Sequence, residues 1–557
     1  MTLPDTTVEP RNVAAFLAER ARLSPTASAV LAPRAAGWRT TSFAELDARA
    51  DAIAHGLAEL GLAAGERTAL LLPPGPELVA AVFALFRLGA VPVVADPGRG
   101  ATELARSLAR VRPRAFLGTP AAHLFRKLHE RELGSVEIAL ATGRGWLPGV
   151  TKLDAIARPS LGRFEPVEPG AGAEAAILFT SGSTGPAKGV VYTHAHFLAQ
   201  LESLRALYGF AEGEIDLACF PLFALFAPAL GMACAFPKLD PRRPGDCDPA
   251  EIVRAADQTR ATTTFGSPAI WRRVVPWARE RGVRLATVRR VLVAGAPVPP
   301  ELVEGLLAIL PDGAQVHTPY GQTEALPLAS ISGAEILARR GKIEGGFGHC
   351  VGRPAPGIEL AVLRVEDGPI ARWSDDLRLP VRSVGELAAR GAVVTCAYAE
   401  DPDATAAAKI GSGSTAWHRT GDLGYFDDEG MLWFCGRKSH RLETERGLVA
   451  PVPAENLLNR HPRVARTALV GLGARGREVP VAVVEPKAGE MPRSRAERER
   501  FGREVIEQLA RRLPDAPPRG PGPIERVLFH KSFPVDARHN AKIRSEELRR
   551  WAEEQAG

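Results

Sequence analysis

Short apolar runs alternate with amphipathic stretches along the first 120 residues of the chain. We predict strands at the apolar runs, which are 67–72, 90–95 and 115–118. We predict helices at the amphipathic stretches, which are 12–25, 43–62, 76–88 and 102–111. Ser42 and Glu45 have the spacing of a capping box at the start of the second helix. Strands that alternate with helices predict a parallel sheet with helices on both faces.

The pattern changes near Arg437, and the chain beyond it predicts a smaller unit. Strands are predicted there at 469–471 and 481–484, followed by a charged helix at 495–512. Earlier strands at 262–266 and 290–293 belong to the first unit. We therefore predict an α/β protein, with a large domain of mixed sheets and flanking helices over 1–437 and a small α+β domain over 438–557.

Composition limits the class of protein more than it identifies it. The 557 residues are 45% hydrophobic and 24% charged, with a formal net charge of +6, which is ordinary for a globular protein. Basic residues are not interleaved with aromatic ones, so we do not expect nucleic-acid binding. The six cysteines form no C-x-x-C pair and the N-terminus has no signal-peptide layout, which predicts a cytoplasmic protein with reduced thiols.

One uncharged stretch, Leu217–Pro237, is long enough on paper to span a bilayer. Pro221, Pro228 and Gly231 interrupt it, and broken helices need protein cover at membrane depth. We therefore predict that this stretch lines a buried apolar pocket and does not cross a membrane.

A loop of small polar residues carries the clearest chemical signal. Thr180–Gly185 contains only Thr, Ser and Gly, follows the apolar run 177–179 and is followed by Lys188. Glycine permits a backbone whose N–H groups converge on an anion, while hydroxyls and lysine add donors. A flexible turn is the alternative, and Gly411–Thr415, without a strand before it or Lys-Gly after it, is predicted to be one. The Walker pattern is not met, because Lys188 precedes Gly189.

Further polar positions follow predicted strands at intervals along the chain, although each alone is equally typical of a surface feature. Thr323 can donate to a phosphate, Glu324 can hold Mg²⁺, and Tyr320 offers a flat face for adenine. Asp422 can accept from two ribose hydroxyls, with Arg437 beside it. The nucleotide-binding positions predicted from these residues are Thr180, Ser181, Gly182, Ser183, Thr184, Gly185, Lys188, Tyr320, Gly321, Asp422 and Arg437.

The stretch T-S-G-S-T-G-x-x-K-G at Thr180–Gly189 resembles the signature loop of the adenylate-forming superfamily, and the later motifs follow in that superfamily's order. The resemblance implies ATP and Mg²⁺, a mobile C-terminal domain with a hinge near Ser439, and a catalytic set of Lys542, Thr323 and Glu324. It also implies that Gly295, Ala296 and Pro297 contact the nucleotide. It implies that a carboxylate attacks the α-phosphorus of ATP to give acyl-AMP and pyrophosphate. The chain departs from acyl-CoA synthetases at Ala224, where those enzymes usually carry histidine.

Four stretches are similar to the β-lactone synthetases of long-chain olefin biosynthesis: Phe223–Gly231, Phe265–Ala269, Thr318–Pro327 and Phe533–Lys542. That similarity implies a 2-alkyl-3-hydroxy fatty acid, whose own hydroxyl closes a β-lactone, and a thiolase, a reductase and a β-lactone decarboxylase as pathway partners. The expected acyl-pocket residues are Phe220, Phe223, Ala224, Phe226 and Gly266.

Alternatives remain open from the sequence. The enzyme alternatives are a long-chain fatty acyl-CoA ligase and a fatty acyl-AMP ligase, and a protein that binds ATP or acyl groups without turnover is the alternative of another class. His440 and His539 are candidates for accepting the proton of the 3-hydroxyl.

Overall fold

The structure is a computed structural model that describes residues 11–96, 98, 100–143, 145, 147–170, 172–180, 186–535 and 543–556. The helices of this part are α1 (Ala15–Leu23), α2 (Phe43–Glu59), α3 (Pro76–Leu88), α4 (Ala101–Arg110), α5 (Pro120–Leu128), α6 (Leu153–Ile156), α7 (His194–Tyr208), α8 (Ala227–Leu230), α9 (Pro249–Thr259), α10 (Pro268–Glu280), α11 (Pro300–Ile309), α12 (Gly333–Ala338), α13 (Arg340–Lys342), α14 (Pro402–Ala408), α15 (Pro451–Leu458), α16 (Arg495–Glu507) and α17 (Ser545–Ala556). The strands are β1 (Ser28–Pro33), β2 (Trp38–Ser42), β3 (Arg67–Leu71), β4 (Val91–Val94), β5 (Ala115–Gly118), β6 (Ile138–Ala141), β7 (Thr151–Lys152), β8 (Glu174–Phe179), β9 (Gly189–Thr193), β10 (Ile215–Leu217), β11 (Ala233–Ala235), β12 (Thr263–Gly266), β13 (Arg290–Val293), β14 (Gln315–Gln322), β15 (Ala325–Ser332), β16 (His349–Pro354), β17 (Glu359–Leu363), β18 (Gly385–Arg390), β19 (Lys409–Ile410), β20 (Trp417–Phe426), β21 (Leu432–Arg437), β22 (Leu442–Thr444), β23 (Gly447–Val449), β24 (Val464–Leu472), β25 (Val479–Pro486) and β26 (Arg526–Phe529).

The first sheet is formed by β3 to β9 in the order β7-β6-β5-β3-β4-β8-β9. Its strands pair in parallel except for β9, which returns antiparallel to β8 at one edge. Helix α3 packs on one face within a buried apolar cluster that includes Val79, Phe83 and Leu85. Leu104 and Leu108 of α4 belong to a separate cluster with Ala69 of β3. The predicted parallel sheet with helices on its faces is confirmed.

The larger sheet changes character along its length. In the described residues it runs β17-β18-β20-β21-β16-β15-β14-β13-β12-β10-β11-β1-β2, and β19 pairs with β20. Strands β10 to β14 pair in parallel, whereas those from β14 to β21 and on to β17 pair antiparallel. The larger sheet therefore has a parallel half, β10 to β14, next to an antiparallel half, β15 to β21.

The chain after β21 forms separate small sheets. β24, β25 and β26 make one, and β22 with β23 makes a hairpin. Phe501 and Val505 of α16 and Leu458 of α15 are buried against the first of these. The fold is therefore α/β, with a large N-terminal domain of mixed sheets and a smaller C-terminal domain. The exact boundary at residue 437 stays a prediction.

Most local predictions agree with the structure, and the one for Tyr320 differs. Ser42 and Glu45 form the predicted capping box on α2. Tyr320 was expected just after a strand, but β14 continues through Gln322, because residues 317–322 pair with β15. The stretch 217–237 is folded into the end of β10, a short 3₁₀ turn, α8 and β11. The part of the chain that the structure describes holds no helix of the length and apolarity that a membrane span requires.

Candidate active site

A large cavity, of about 2220 Å³, lies where parallel strands from both major sheets end. Residues at the carboxyl ends of β3, β4, β8, β12 and β13 line it, which is where α/β sheets bind ligands. It brings together predicted site residues that are far apart in the sequence. Those are Thr180, Lys188, Phe220, Phe223, Phe226, Gly266, Gly295, Ala296, Pro297, Tyr320, Gly321, Thr323, Glu324, Asp422 and Arg437.

Six of the predicted catalytic and nucleotide-binding positions lie outside the described residues. They are Ser181, Gly182, Ser183, Thr184, Gly185 and Lys542. The described ends of the predicted phosphate-binding loop, Thr180 and Lys188, are joined: Thr180 N donates to Lys188 O at 2.9 Å and Lys188 N donates to Thr180 Oγ1 at 3.3 Å. The loop therefore begins and ends at the cavity wall.

Asp422, Tyr320 and Arg437 form one polar corner of the cavity. Asp422 and Arg437 are cross-strand neighbours on β20 and β21, and Arg437 Nη1 lies 2.9 Å from Asp422 Oδ1. The Tyr320 hydroxyl donates to Asp422 Oδ2 at 2.7 Å. Each oxygen of an ionised carboxylate has a further lone pair, so Asp422 can still accept from a sugar hydroxyl. The aspartate is 5% exposed, which strengthens its polar contacts.

Gly295 continues this wall after β13. Its φ of 96° lies in the left-handed region, which favours glycine. The turn that it makes presents Gly295, Ala296 and Pro297 to the cavity. These three predicted positions thus lie where their backbone can face a nucleotide.

Glu324 lies in the tight connection between β14 and β15 and is 7% exposed. Its Oε1 accepts from the Tyr398 hydroxyl at 2.6 Å. Burial and the Glu324 charge raise the pKa of Tyr398, so the phenol keeps its proton and remains the donor. The carboxylate is thereby held at the cavity wall, where a single carboxylate together with phosphate oxygens is a donor set that suits Mg²⁺.

Aromatic side chains form the apolar wall, as predicted for the stretch 217–237. The Phe223 ring lies 4.9 Å from Phe265 and 6.0 Å from Phe226, and Phe220 lies 5.3 Å from Phe265. Leu225 also lines the cavity and is half-buried. The prediction for Ala224 needs correction, because this residue is fully buried and is not among those that line the cavity. The 3₁₀ turn rotates it into the core between Phe223 and Leu225.

We expect the aromatic wall to bind the alkyl chain of the substrate, so enlarging Leu225 should shorten the chain that is accepted. Leu225→Trp adds volume at the cavity wall, so kcat/KM across acids of increasing chain length should shift toward shorter ones. Ala224→Val is the control, because it adds volume to the packed core and should lower the free energy of unfolding by about 1–3 kcal/mol without moving the chain-length preference. An unchanged preference in Leu225→Trp would remove this turn from the acyl pocket.

Of the two candidate proton acceptors, His440 and His539, the structure describes only His440. His440 lines the cavity, and its Nδ1 lies 3.2 Å from Ser545 Oγ. Burial and the Arg437 charge lower the pKa of His440 to about 4, so its ring is neutral at pH 7 but a weak base. His539 lies outside the described residues. At the predicted hinge, Lys438 donates to Glu386 Oε2 at 3.1 Å, immediately before Ser439.

Sequence reasoning missed Tyr398, which contacts both sides of the site. Besides its bond to Glu324, its ring lies 5.0 Å from Lys188 Nζ. The chain has five tyrosines, and three of them, Tyr192, Tyr320 and Tyr398, line this cavity. The small number of tyrosines in the chain was the only sequence signal that could have drawn attention to Tyr398. Its contact with Glu324 depends on the tertiary structure alone.

Comparison with known proteins agrees with this geometry. The profile of the family described as AMP-binding enzyme matches residues 17–399. The chain is 43% identical over 560 residues to the olefin β-lactone synthetase of Stenotrophomonas maltophilia and 42% identical over 565 residues to that of Xanthomonas campestris pv. campestris, and each alignment covers 98% of both chains.

A solved structure supports the fold. O-succinylbenzoate coenzyme A synthetase from Bacillus subtilis, in complex with ATP and magnesium ion, superposes with a TM-score of 0.73 and 22% identity, covering 96% of this chain and 98% of that one. Together with the profile match and the two full-length relatives, this shows that the chain belongs to the family of AMP-binding enzymes.

Proposed function

We propose that this protein activates a 2-alkyl-3-hydroxy fatty acid with ATP and then closes it to a β-lactone, releasing pyrophosphate and AMP. The observation that carries the proposal is the identity above 40% with two olefin β-lactone synthetases over nearly the whole chain. The cavity supports it, because one continuous space joins a polar corner suited to a nucleotide with an aromatic wall suited to alkyl chains.

In the first step, a carboxylate oxygen of the acid attacks the α-phosphorus of ATP. The bond between that phosphorus and the bridging oxygen breaks, and pyrophosphate leaves with the electron pair. We propose that Asp422 and Arg437 bind the ribose side, that the loop 180–185 with Lys188 holds the leaving pyrophosphate, and that Thr323 donates to a phosphate oxygen. Hydrogen-bond donors and cations that are already in place around the phosphates stabilise the charge that develops in the transition state, and this stabilisation is usually the largest contribution to the rate enhancement.

Glu324 is the residue that we propose as the protein's Mg²⁺ ligand. Mg²⁺ bound with ATP would offset negative charge on the phosphate oxygens. The structure supports the fit, since the Glu324 carboxylate lines the same cavity as Lys188 and one of its oxygens is already oriented by Tyr398.

In the second step, the 3-hydroxyl oxygen attacks the acyl carbon within the same molecule. The bond from that carbon to the AMP oxygen breaks, AMP leaves, and the hydroxyl proton is lost. The reaction needs no second substrate, because the nucleophile is already tethered to the acyl carbon. His440 in this domain arrangement is too weak a base to be our choice for the proton acceptor.

The C-terminal domain, which we place at 438–557, is proposed to move about Ser439 and to bring Lys542 to the α-phosphate. We also propose, from the family resemblance, that a thiolase and a reductase act upstream and a β-lactone decarboxylase downstream. No part of the proposed chemistry needs a membrane or a nucleic acid.

A comparison of two acids tests the proposal. The enzyme receives ATP, Mg²⁺ and either a 2-alkyl-3-hydroxy acid or the same acid without its 3-hydroxyl. We expect acid-dependent pyrophosphate release with both, but free AMP and lactone in multiple turnovers only with the hydroxy acid. Failure of both acids to release pyrophosphate would contradict the adenylation, and equal turnover of both would contradict the lactone closure.

A further inference from the structure

Residues 394–399 connect the two major sheets at the candidate active site. At one end, Ala399 N donates to Gly189 O of β9 at 2.7 Å. At the other, the backbone N and Oγ1 of Thr395 both donate to the carbonyl oxygen of Glu324, at 2.9 and 3.0 Å. We call 394–399 the bridging segment, because it ties β9 of the first sheet to the connection between β14 and β15.

Within the bridging segment, Tyr398 is the residue whose side chain lines the cavity. It is 6% exposed, its hydroxyl donates to Glu324 Oε1 at 2.6 Å, and the Lys188 ammonium lies over its ring at 5.0 Å from the centroid. Hydroxyl and ring thus make two different contacts, one with a carboxylate and one with a cation. Lys188 follows the phosphate loop on one sheet, whereas Glu324 belongs to the other.

We propose that Tyr398 is a positioning residue that fixes Glu324 and Lys188 relative to each other, so that the Mg²⁺ ligand and the phosphate-binding cation meet the same triphosphate. The inference rests on the proposed function, since it uses the roles assigned there to Glu324 and Lys188. With Oε1 held by the tyrosine, the other Glu324 oxygen is left for the ion. Partners that orient a ligating carboxylate commonly change metal affinity 10- to 100-fold when they are lost.

The two contacts of Tyr398 can be removed separately. Tyr398→Phe loses only the hydroxyl, so it should affect Glu324 and leave the ring beneath Lys188. Tyr398→Leu loses both and should in addition weaken binding of the triphosphate. Tyr192→Phe is the matched control, because Tyr192 is also buried and hydrogen-bonded at this wall, but its hydroxyl donates to the backbone oxygen of Thr323.

The measurement is ATP binding by isothermal titration calorimetry at a series of Mg²⁺ concentrations, without acid, so that no turnover occurs. Tyr398→Phe should raise the half-saturating Mg²⁺ concentration about tenfold while ATP affinity at saturating Mg²⁺ stays close to that of the unmodified protein. Tyr398→Leu should lower that affinity as well. Glu324→Gln gives the reference shift, and adding Tyr398→Phe to it should cause no further change, because the tyrosine would act through this carboxylate.

An unchanged Mg²⁺ dependence in Tyr398→Phe, an equal shift in Tyr192→Phe, or an additive shift in the double variant would overturn the proposal. Thermal melting of each variant separates these results from loss of the fold. Because binding is measured without acid, the outcome is independent of the product. A protein that binds Mg²⁺ and ATP as expected but forms no AMP with any acid would contradict the proposed function and leave this inference standing.

Discussion

Replacing Lys542 with alanine should lower the rate of acid-dependent pyrophosphate release by about 10²–10⁴-fold. Negative charge builds on the α-phosphate as the carboxylate attacks, and a lysine ammonium is a compact point charge suited to offset it. The position is assigned from the family resemblance of Phe533–Lys542, since Lys542 itself lies outside the described residues. Rapid-quench measurement of pyrophosphate would give the rate of this step directly.

Two comparisons separate this role from a general effect. Lys531→Ala removes an exposed lysine of the same domain and should leave the rate unchanged. Lys542→Ala supplied with preformed acyl-adenylate should still form lactone, because the ammonium is needed at the phosphate and the adenylation is already complete. Near-normal pyrophosphate release in Lys542→Ala would remove this residue from the mechanism.

Replacing Asp422 with alanine should lower kcat/KM for ATP by about 10²-fold. The change removes the proposed ribose acceptor and also leaves the Tyr320 hydroxyl and Arg437 without the carboxylate that each contacts at 2.7 and 2.9 Å. Lost hydrogen bonds to a charged group cost about 1.5–3 kcal/mol, and about 1.4 kcal/mol corresponds to a factor of ten.

Asp422→Asn is the matched variant, since it keeps the shape and one acceptor oxygen but loses the charge. Its kcat/KM for ATP should lie between those of the unmodified protein and Asp422→Ala. The effect should appear as weaker ATP binding in calorimetry, whereas the KM for the acid should change little, because the acid is expected at the aromatic wall. Unaltered ATP binding in both variants would place the ribose elsewhere.

Local signals account for what the sequence predicted well. Helix α3 begins at Pro76 and ends at Leu88, as predicted, because proline favours the first turn and Gly89, at φ 71°, caps the end. Strands β5 and β13 have their predicted bounds because each is a compact apolar run. These features depend on neighbours in sequence, so no knowledge of the tertiary structure is needed.

Features set by long-range contacts were missed or misplaced. Pairing with β15 extends β14 through Tyr320. The residues before that tyrosine contain no local signal for this extension. Ala224 faces the core because the 3₁₀ turn sets its direction. Tyr398 reaches Glu324 across 74 residues, and only the folded bridging segment brings them together.

The order of the motifs along the chain predicts more of the candidate site than any one motif does. The local sequences around Glu324, Asp422 and Arg437 cannot be distinguished from those of surface turns. In the structure all three residues line the same cavity as Lys188. The resemblance to a known order of motifs groups these residues from the sequence alone. The packing around them does not follow from that order, because packing depends on which side chains fill the space behind each motif.

We expect the acid's own hydroxyl, and not a thiol, to take the acyl group. A tethered nucleophile can have an effective molarity of about 10⁵ M or more when it is well aligned, although the strain of a four-membered ring lowers this advantage. Alanine at position 224, where acyl-CoA synthetases usually carry histidine, agrees with this expectation but does not act at the cavity surface, since Ala224 is buried.

The most direct measurement gives the enzyme ATP, Mg²⁺ and a 2-alkyl-3-hydroxy acid, with and without coenzyme A, and follows all acyl products by mass spectrometry. We expect β-lactone and AMP at the same rate in both reactions, with no acyl thioester. Acyl-CoA as the main product whenever coenzyme A is present would contradict lactone closure and identify an acyl-CoA ligase.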